Sequence, residues 1–144
     1  MKLNKAISPI LATVILIAVT LVIAIGVIGW IMGIWGTFGA TETIQVFPDS
    51  SISNSELTLH IKNTGTASAV IYKIEVVGLG TASITTGTGV TITTGSAGSE
   101  VIVSPGVEGT ITASITTSAV AGTTYQVKIY TRAGNVYSAT VQAK

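Results

Sequence analysis

An uncharged run from residue 6 to about residue 40, bounded by Lys5 and Glu42, constrains this chain more than any other feature. As a helix, about 35 residues extend roughly 50 Å, against about 30 Å for the hydrocarbon core of a bilayer. The run is therefore longer than a membrane span alone requires. It is also about twice the apolar stretch of a cleavable secretory peptide, so ordinary signal-peptide removal is not expected. Lys2 and Lys5 precede it and no charge follows before Glu42. The positive-inside bias then leaves the N-terminus in the cytoplasm and the rest of the chain outside.

Only 9% of residues are charged, against about 25% in an ordinary soluble domain, and the mean hydropathy is +0.69. The apolar excess lies at the front. Residues 41–144 are enough to bury a core of their own, and with no cysteine in the chain they must do so without disulfides. A net charge of +1 with scattered lysines leaves no electrostatic footprint for nucleic acid, and no nucleic-acid partner is expected.

Ser8-Pro9 places the helix start at Pro9, since a serine oxygen can accept from an early N–H and proline has none to strand. From position 10 to 28 nearly every residue is aliphatic, so the segment must be apolar all round. Gly26, Gly29, Gly33 and Gly36 then recur at intervals of three, four and three, which puts them on one helix face. A glycine face lets two helices approach closely; the other reading is a flexible lower half, since each glycine costs about 1 kcal/mol relative to alanine. Trp30, Trp35 and Phe38 fit either an interfacial aromatic belt or packing in an assembly.

Beyond residue 40 the apolar period becomes two. Segments 43–47, 56–62, 69–77, 90–93, 100–103, 110–115, 125–131 and 135–142 read as strands, bounded by turn signals such as Asn63-Thr64-Gly65 and Ser104-Pro105-Gly106. Leu57, Leu59 and Ile61 share an inward face, as do Tyr125, Val127 and Ile129 opposite Val136 or its neighbours. The stretch 78–99 is expected to be the most exposed, with Ile84, Val90 and Ile92 as its large anchors. The expected fold class is α+β: a long N-terminal hydrophobic α-helix followed by an all-β, immunoglobulin-like sandwich head.

The chemistry of an enzyme is hard to assemble from these residues. His60 is the only histidine and there is no cysteine, which removes a zinc site with two or more N/S ligands and a cysteine nucleophile. His60 alternates with Leu59 and Ile61 and so reads as a solvated strand residue. The six acidic residues, Glu42, Asp49, Glu56, Glu75, Glu100 and Glu108, are dispersed singly, against a carboxylate pair or a calcium loop. No catalytic residue, cofactor or metal is expected.

Residues 5 to 18, Lys-Ala-Ile-Ser-Pro-Ile-Leu-Ala-Thr-Val-Ile-Leu-Ile-Ala, closely resemble the N-terminus of archaeal type IV pilins, in which a short basic leader ends just before a Ser-Pro and a long aliphatic helix. The resemblance covers about residues 2–40 by motif and the head by architecture only. It implies a leader of residues 1–5, a helix of 6–40 and a head of 41–144. It also implies cleavage between Lys5 and Ala6 by a prepilin peptidase. An assembly ATPase and a membrane platform protein would then move subunits from the cytoplasmic membrane into a helical homopolymer at the cell surface. Many bacterial type IV pilins carry a glutamate at the fifth mature position, where this chain has Ile10, so hydrophobic packing must set the register. Three functions follow: an adhesive pilus subunit, a membrane-anchored surface binding module that never polymerises, and an archaeal flagellar filament subunit.

Overall fold

A computed structural model of the chain describes residues 3–95 and 98–144, with the side chains of 3–7, 37 and 38 left out. Two units emerge, Met1–Gly39 and Ala40–Lys144. The first is helix α1, Leu3–Phe38, of 36 residues. It begins upstream of the expected start, and Pro9 lies inside it. Proline at that depth withholds one N–H from the second turn, a local loss that the continuous ladder beyond it outlasts. The hydroxyls of Thr13 and Thr20 donate to the carbonyls of Ile10 and Ile17 at 2.7 and 2.8 Å. Polar groups in the apolar run are thus satisfied within the helix, as an environment without water demands. The implied leader junction at Lys5 and Ala6, and the Phe38 ring, fall among side chains outside the described set; Met1 and Lys2 lie wholly outside it.

Among its described residues the head contains ten strands: β1 (Ile44–Val46), β2 (Ser51–Ser53), β3 (Glu56–Asn63), β4 (Ala69–Val76), β5 (Gly80–Thr88), β6 (Thr91–Gly95), β7 (Gly98–Val103), β8 (Glu108–Ser114), β9 (Thr124–Thr131) and β10 (Val136–Ala143). Eight fall where the apolar alternation puts them. The two unforeseen strands are β2, which buries Ile52 alone, and β5, which buries only Ala82. Neither carries an apolar alternation that a sequence could display, because their partners impose the extended conformation.

These two strands close the architecture. β2 pairs antiparallel with β3 and parallel with β10, while β5 pairs with β8 and with the second half of β4. The order β5-β8-β3-β2-β10-β9-β4 therefore returns to β5, so the two layers of an immunoglobulin-like sandwich are joined at both margins, as in a flattened barrel. The β6–β7 hairpin hangs from the first half of β4, leaving β6 as an edge.

The core follows the alternation. Leu57, Leu59 and Ile61 of β3, Ile111 of β8, and Val127 and Ile129 of β9 are fully buried. In the last hairpin Ile129 pairs with Tyr137 and Val127 with Ala139, whereas Val136 pairs with Tyr130 and is exposed. In the stretch 78–99, Ile84, Val90 and Ile92 pack partly against the core and most other described residues are exposed.

Asn63, at the end of β3, is a fully buried polar side chain. Its amide donates to the carbonyls of Ala67 and Val103 at 2.7 and 2.9 Å, and its oxygen accepts from the Gly65 N–H at 3.0 Å. Beside it the backbone of residues 41–43 crosses Gly65 so closely that a Cβ there would lie 2.7 Å from the Thr43 nitrogen and 2.8 Å from the Glu42 Cα. Only glycine leaves room for that crossing.

Candidate functional site

The apolar helix is the first candidate. Between positions 10 and 35, seventeen large apolar side chains stand exposed, Trp30 at 69% and Trp35 at 74% among them. Leaving these in water forgoes roughly 1.5–3 kcal/mol each, a sum of tens of kcal/mol that exceeds the 5–15 kcal/mol stabilising a typical domain. Ser8–Gly36 is long and apolar enough to cross a membrane. At 100° per residue Gly26, Gly29, Gly33 and Gly36 fall within an arc of about 80°, and a Cβ built at any of the four meets nothing within 4 Å. The four glycines thus share one helix face, with open space beside it.

In the head, the single histidine gathers the neighbours that sequence reasoning left dispersed. His60 does lie on the face opposite Leu59 and Ile61, but it is not simply solvated. Its Nδ1 is 2.7 Å from Asp49, in the β1–β2 turn, and its Nε2 is 2.9 Å from Glu108, at the start of β8. The Phe47 ring lies 4.5 Å from the imidazole, tilted by 33°, and Lys62 stands 3.6 Å from the second Glu108 oxygen. The two carboxylates engage opposite ring nitrogens, so they do not converge on a point where a cation could sit. Among the described residues no group of three or more acidic, histidine or cysteine side chains could hold a metal ion. Only the imidazolium can donate to both partners at once. The Asp49 hydrogen bond first, then that of Glu108 and the charges of both, raise the His60 pKa above the ordinary 6.5, against the opposing effect of desolvation.

A raised folded-state pKa stabilises the head fully below the ordinary histidine value, and the contribution disappears as pH rises through the raised one. Urea midpoints of the full chain in detergent should accordingly be higher near pH 6 than near pH 8, within the range where histidine titrates. In His60→Gln that difference should shrink. An equal pH dependence in wild type and variant would show that the imidazolium does not couple Asp49 to Glu108.

A second polar cluster surrounds Glu42, which is 9% exposed. One of its oxygens accepts from the Thr131 hydroxyl and, at 3.0 Å, from the Asn135 amide, while the Tyr137 hydroxyl donates to its backbone carbonyl at 2.9 Å. Burial, and secondarily the Glu42 charge, raises the Tyr137 pKa above its ordinary value. The cluster fastens the first residues of the head to the β9–β10 hairpin beside an open hollow of about 620 Å³. Neither cluster was visible in the sequence, since Glu42 and Asn135 are 93 residues apart and His60 and Glu108 are 48 apart.

No protein-family model and no curated protein matches this sequence. Among solved structures, the chain is similar to the archaellum periplasmic stator protein FlaG from Sulfolobus acidocaldarius, at 17% identity over 69% of this chain and 99% of that one, with a TM-score of 0.45. It is also similar to the periplasmic stator complex of FlaF and FlaG from the same organism, at 17% identity over 67% of this chain and 83% of that one, with a TM-score of 0.39.

Proposed function

We propose that this chain is the structural subunit of an archaeal type IV pilus, polymerising through α1 into a surface filament whose exposed heads mediate adhesion. The observation that carries this reading is a helix exposed along its length with an open glycine arc, in a chain whose head completes its own β-circuit. A helix apolar all round dissolves in lipid and packs equally well among copies of itself, so one segment serves as precursor anchor and filament core. The head needs no donated strand. On this reading a prepilin peptidase frees Ala6, and an assembly ATPase with its platform protein extracts the subunit from the cytoplasmic membrane.

Trp30 and Trp35, exposed near the outer end of the helix, favour a second reading, because amphipathic rings sit well at a membrane interface. In that case the chain is a membrane-anchored surface module that never polymerises, such as a stator-type component of an archaellum. A flagellar filament subunit is the third form.

Negative-stain microscopy and N-terminal sequencing of sheared surface material separate these readings. Filaments composed of chains beginning at Ala6 are expected, and Lys5→Glu should leave uncleaved precursor in the membrane with no filaments. Retention of the wild-type chain in membranes, with none sheared off, would replace the pilus by the anchored module. Filaments beginning at Met1 would remove the cleavage step.

A further inference from the structure

Tyr72 occupies an anomaly in β4. Ile71 pairs with Thr131 and Lys73 with Tyr130, so Tyr72 is an extra residue opposite no partner on β9, which makes a β-bulge. The inward alternation of Ala69 and Ile71 consequently resumes at Ile74 and Val76, all four fully buried, and two consecutive side chains, Tyr72 and Lys73, fall outside the core. A bulge re-aims a side chain in this way. It also lets β4 pass from β7 to β5 as neighbour, but that exchange requires only an additional residue, not an aromatic one. Tyr72 is nevertheless 49% exposed.

Two hollows flank the ring. One, of about 410 Å³, is lined by Tyr72, Glu100, Thr131, Arg132 and Gly134. The other, of about 310 Å³, is lined by Tyr72 together with Lys73, Thr81 and Ser83. In the first, the Arg132 Nε donates to Glu100 Oε1 at 2.9 Å, and a second guanidinium nitrogen goes to the same oxygen. The other Glu100 oxygen and the Arg132 Nη1 have no partner among the described residues. An acceptor and a donor thus line the same hollow as the exposed Tyr72 side chain. Tyr130 supports the platform from 6.4 Å, and is itself fixed by its hydrogen bond to Glu75 at 3.2 Å and by Lys73, whose ammonium lies 5.2 Å from the ring.

We propose that this face is a carbohydrate-binding site, in which the C–H face of a pyranose lies on Tyr72 and the sugar hydroxyls bond Arg132 and Glu100. The negative face of an aromatic ring attracts the polarised C–H groups of a sugar. A hydroxyl both donates and accepts, so the hydroxyls of one sugar satisfy a guanidinium and a carboxylate together. Glu100 is paired with Arg132 and Glu75 with Lys73, so the carboxylates and cations of this face offset one another, which suits a neutral sugar better than a phosphate polymer. The site gives the adhesion reading a ligand class, yet it needs only an exposed head. Its failure would therefore leave the filament test untouched.

The test uses the full chain in a zwitterionic detergent, because sugar-headed detergents would compete. Saturation-transfer NMR with the methyl pyranosides of glucose, galactose and mannose, and with their oligosaccharides, should show transfer strongest to the C–H protons of one ring face. Affinity near 1 mM is expected for a single ring, in the range of about −4 kcal/mol. Tyr72→Ala should weaken binding about tenfold or more and Arg132→Ala comparably, whereas Tyr72→Phe should stay within about threefold. Transfer to none of these sugars, or binding that Tyr72→Ala leaves unchanged, would overturn the assignment.

Discussion

Asn63→Ala is expected to lower the stability of the head by about 3–6 kcal/mol, from three lost hydrogen bonds at roughly 1–2 kcal/mol each. The side chain is wholly buried, and alanine would take the amide donor from the carbonyls of Ala67 and Val103 and the amide acceptor from the Gly65 N–H. The backbone of residue 63 would keep its own bonds, to the Val107 carbonyl at 3.0 Å and from the Gly106 N–H at 2.8 Å. The loss is therefore specific to the amide. Against a typical total of about 5–15 kcal/mol it leaves the head marginal. Asn63→Asp should be no milder, because a carboxylate replaces the donor and faces the same two carbonyls. A urea titration followed by far-ultraviolet circular dichroism of the full chain in detergent measures the change. An unmoved midpoint in Asn63→Ala would mean that the backbone alone holds the junction of β3, β4 and β7.

Gly33→Leu should abolish or visibly distort filaments while leaving the chain folded and inserted in the membrane. A Cβ at position 33 meets nothing within 4 Å, so the larger side chain does not disturb the subunit itself. Leucine is also favourable in lipid. In the proposed filament, however, it would stand where helices approach along the arc of Gly26, Gly29, Gly33 and Gly36. Overpacking typically costs about 1–3 kcal/mol, and the cost would recur at every subunit. Precursor should accumulate in membranes, and Gly33→Ala should be mild. Electron microscopy beside a membrane-fraction blot reads both effects. Normal filaments from Gly33→Leu would assign the glycines to flexibility rather than packing.

The head shows where legibility stops. Leu57, Leu59 and Ile61 are all buried as their spacing requires, because a strand with one face in the core must alternate and a one-residue slip would expose the whole set. β4 departs from that rule at Tyr72, where the alternation of Ala69 and Ile71 slips by one before Ile74. Read as a uniform strand, 69–77 conceals the bulge, since the extra residue is specified by pairing with β9 and not by β4. Asn63-Thr64-Gly65 was legible as a turn, but not as a buried hub and a backbone crossing. Both depend on strands and loops that reach it from residues 41–43 and 103.

The sequence by itself determined the apolar helix, the glycine arc and the inward faces of the longer strands. Each is a periodicity or an absence of charge that local chain geometry converts directly into structure. Tertiary structure alone decided the closure of the sandwich by β2 and β5, the gathering of Asp49 and Glu108 on His60, the fastening of Glu42, and the exposure of Tyr72 beside Arg132 and Glu100. These contacts join residues up to 95 positions apart. Their specificity lies in strand register and hydrogen-bond geometry, to which no local pattern of hydrophobicity corresponds.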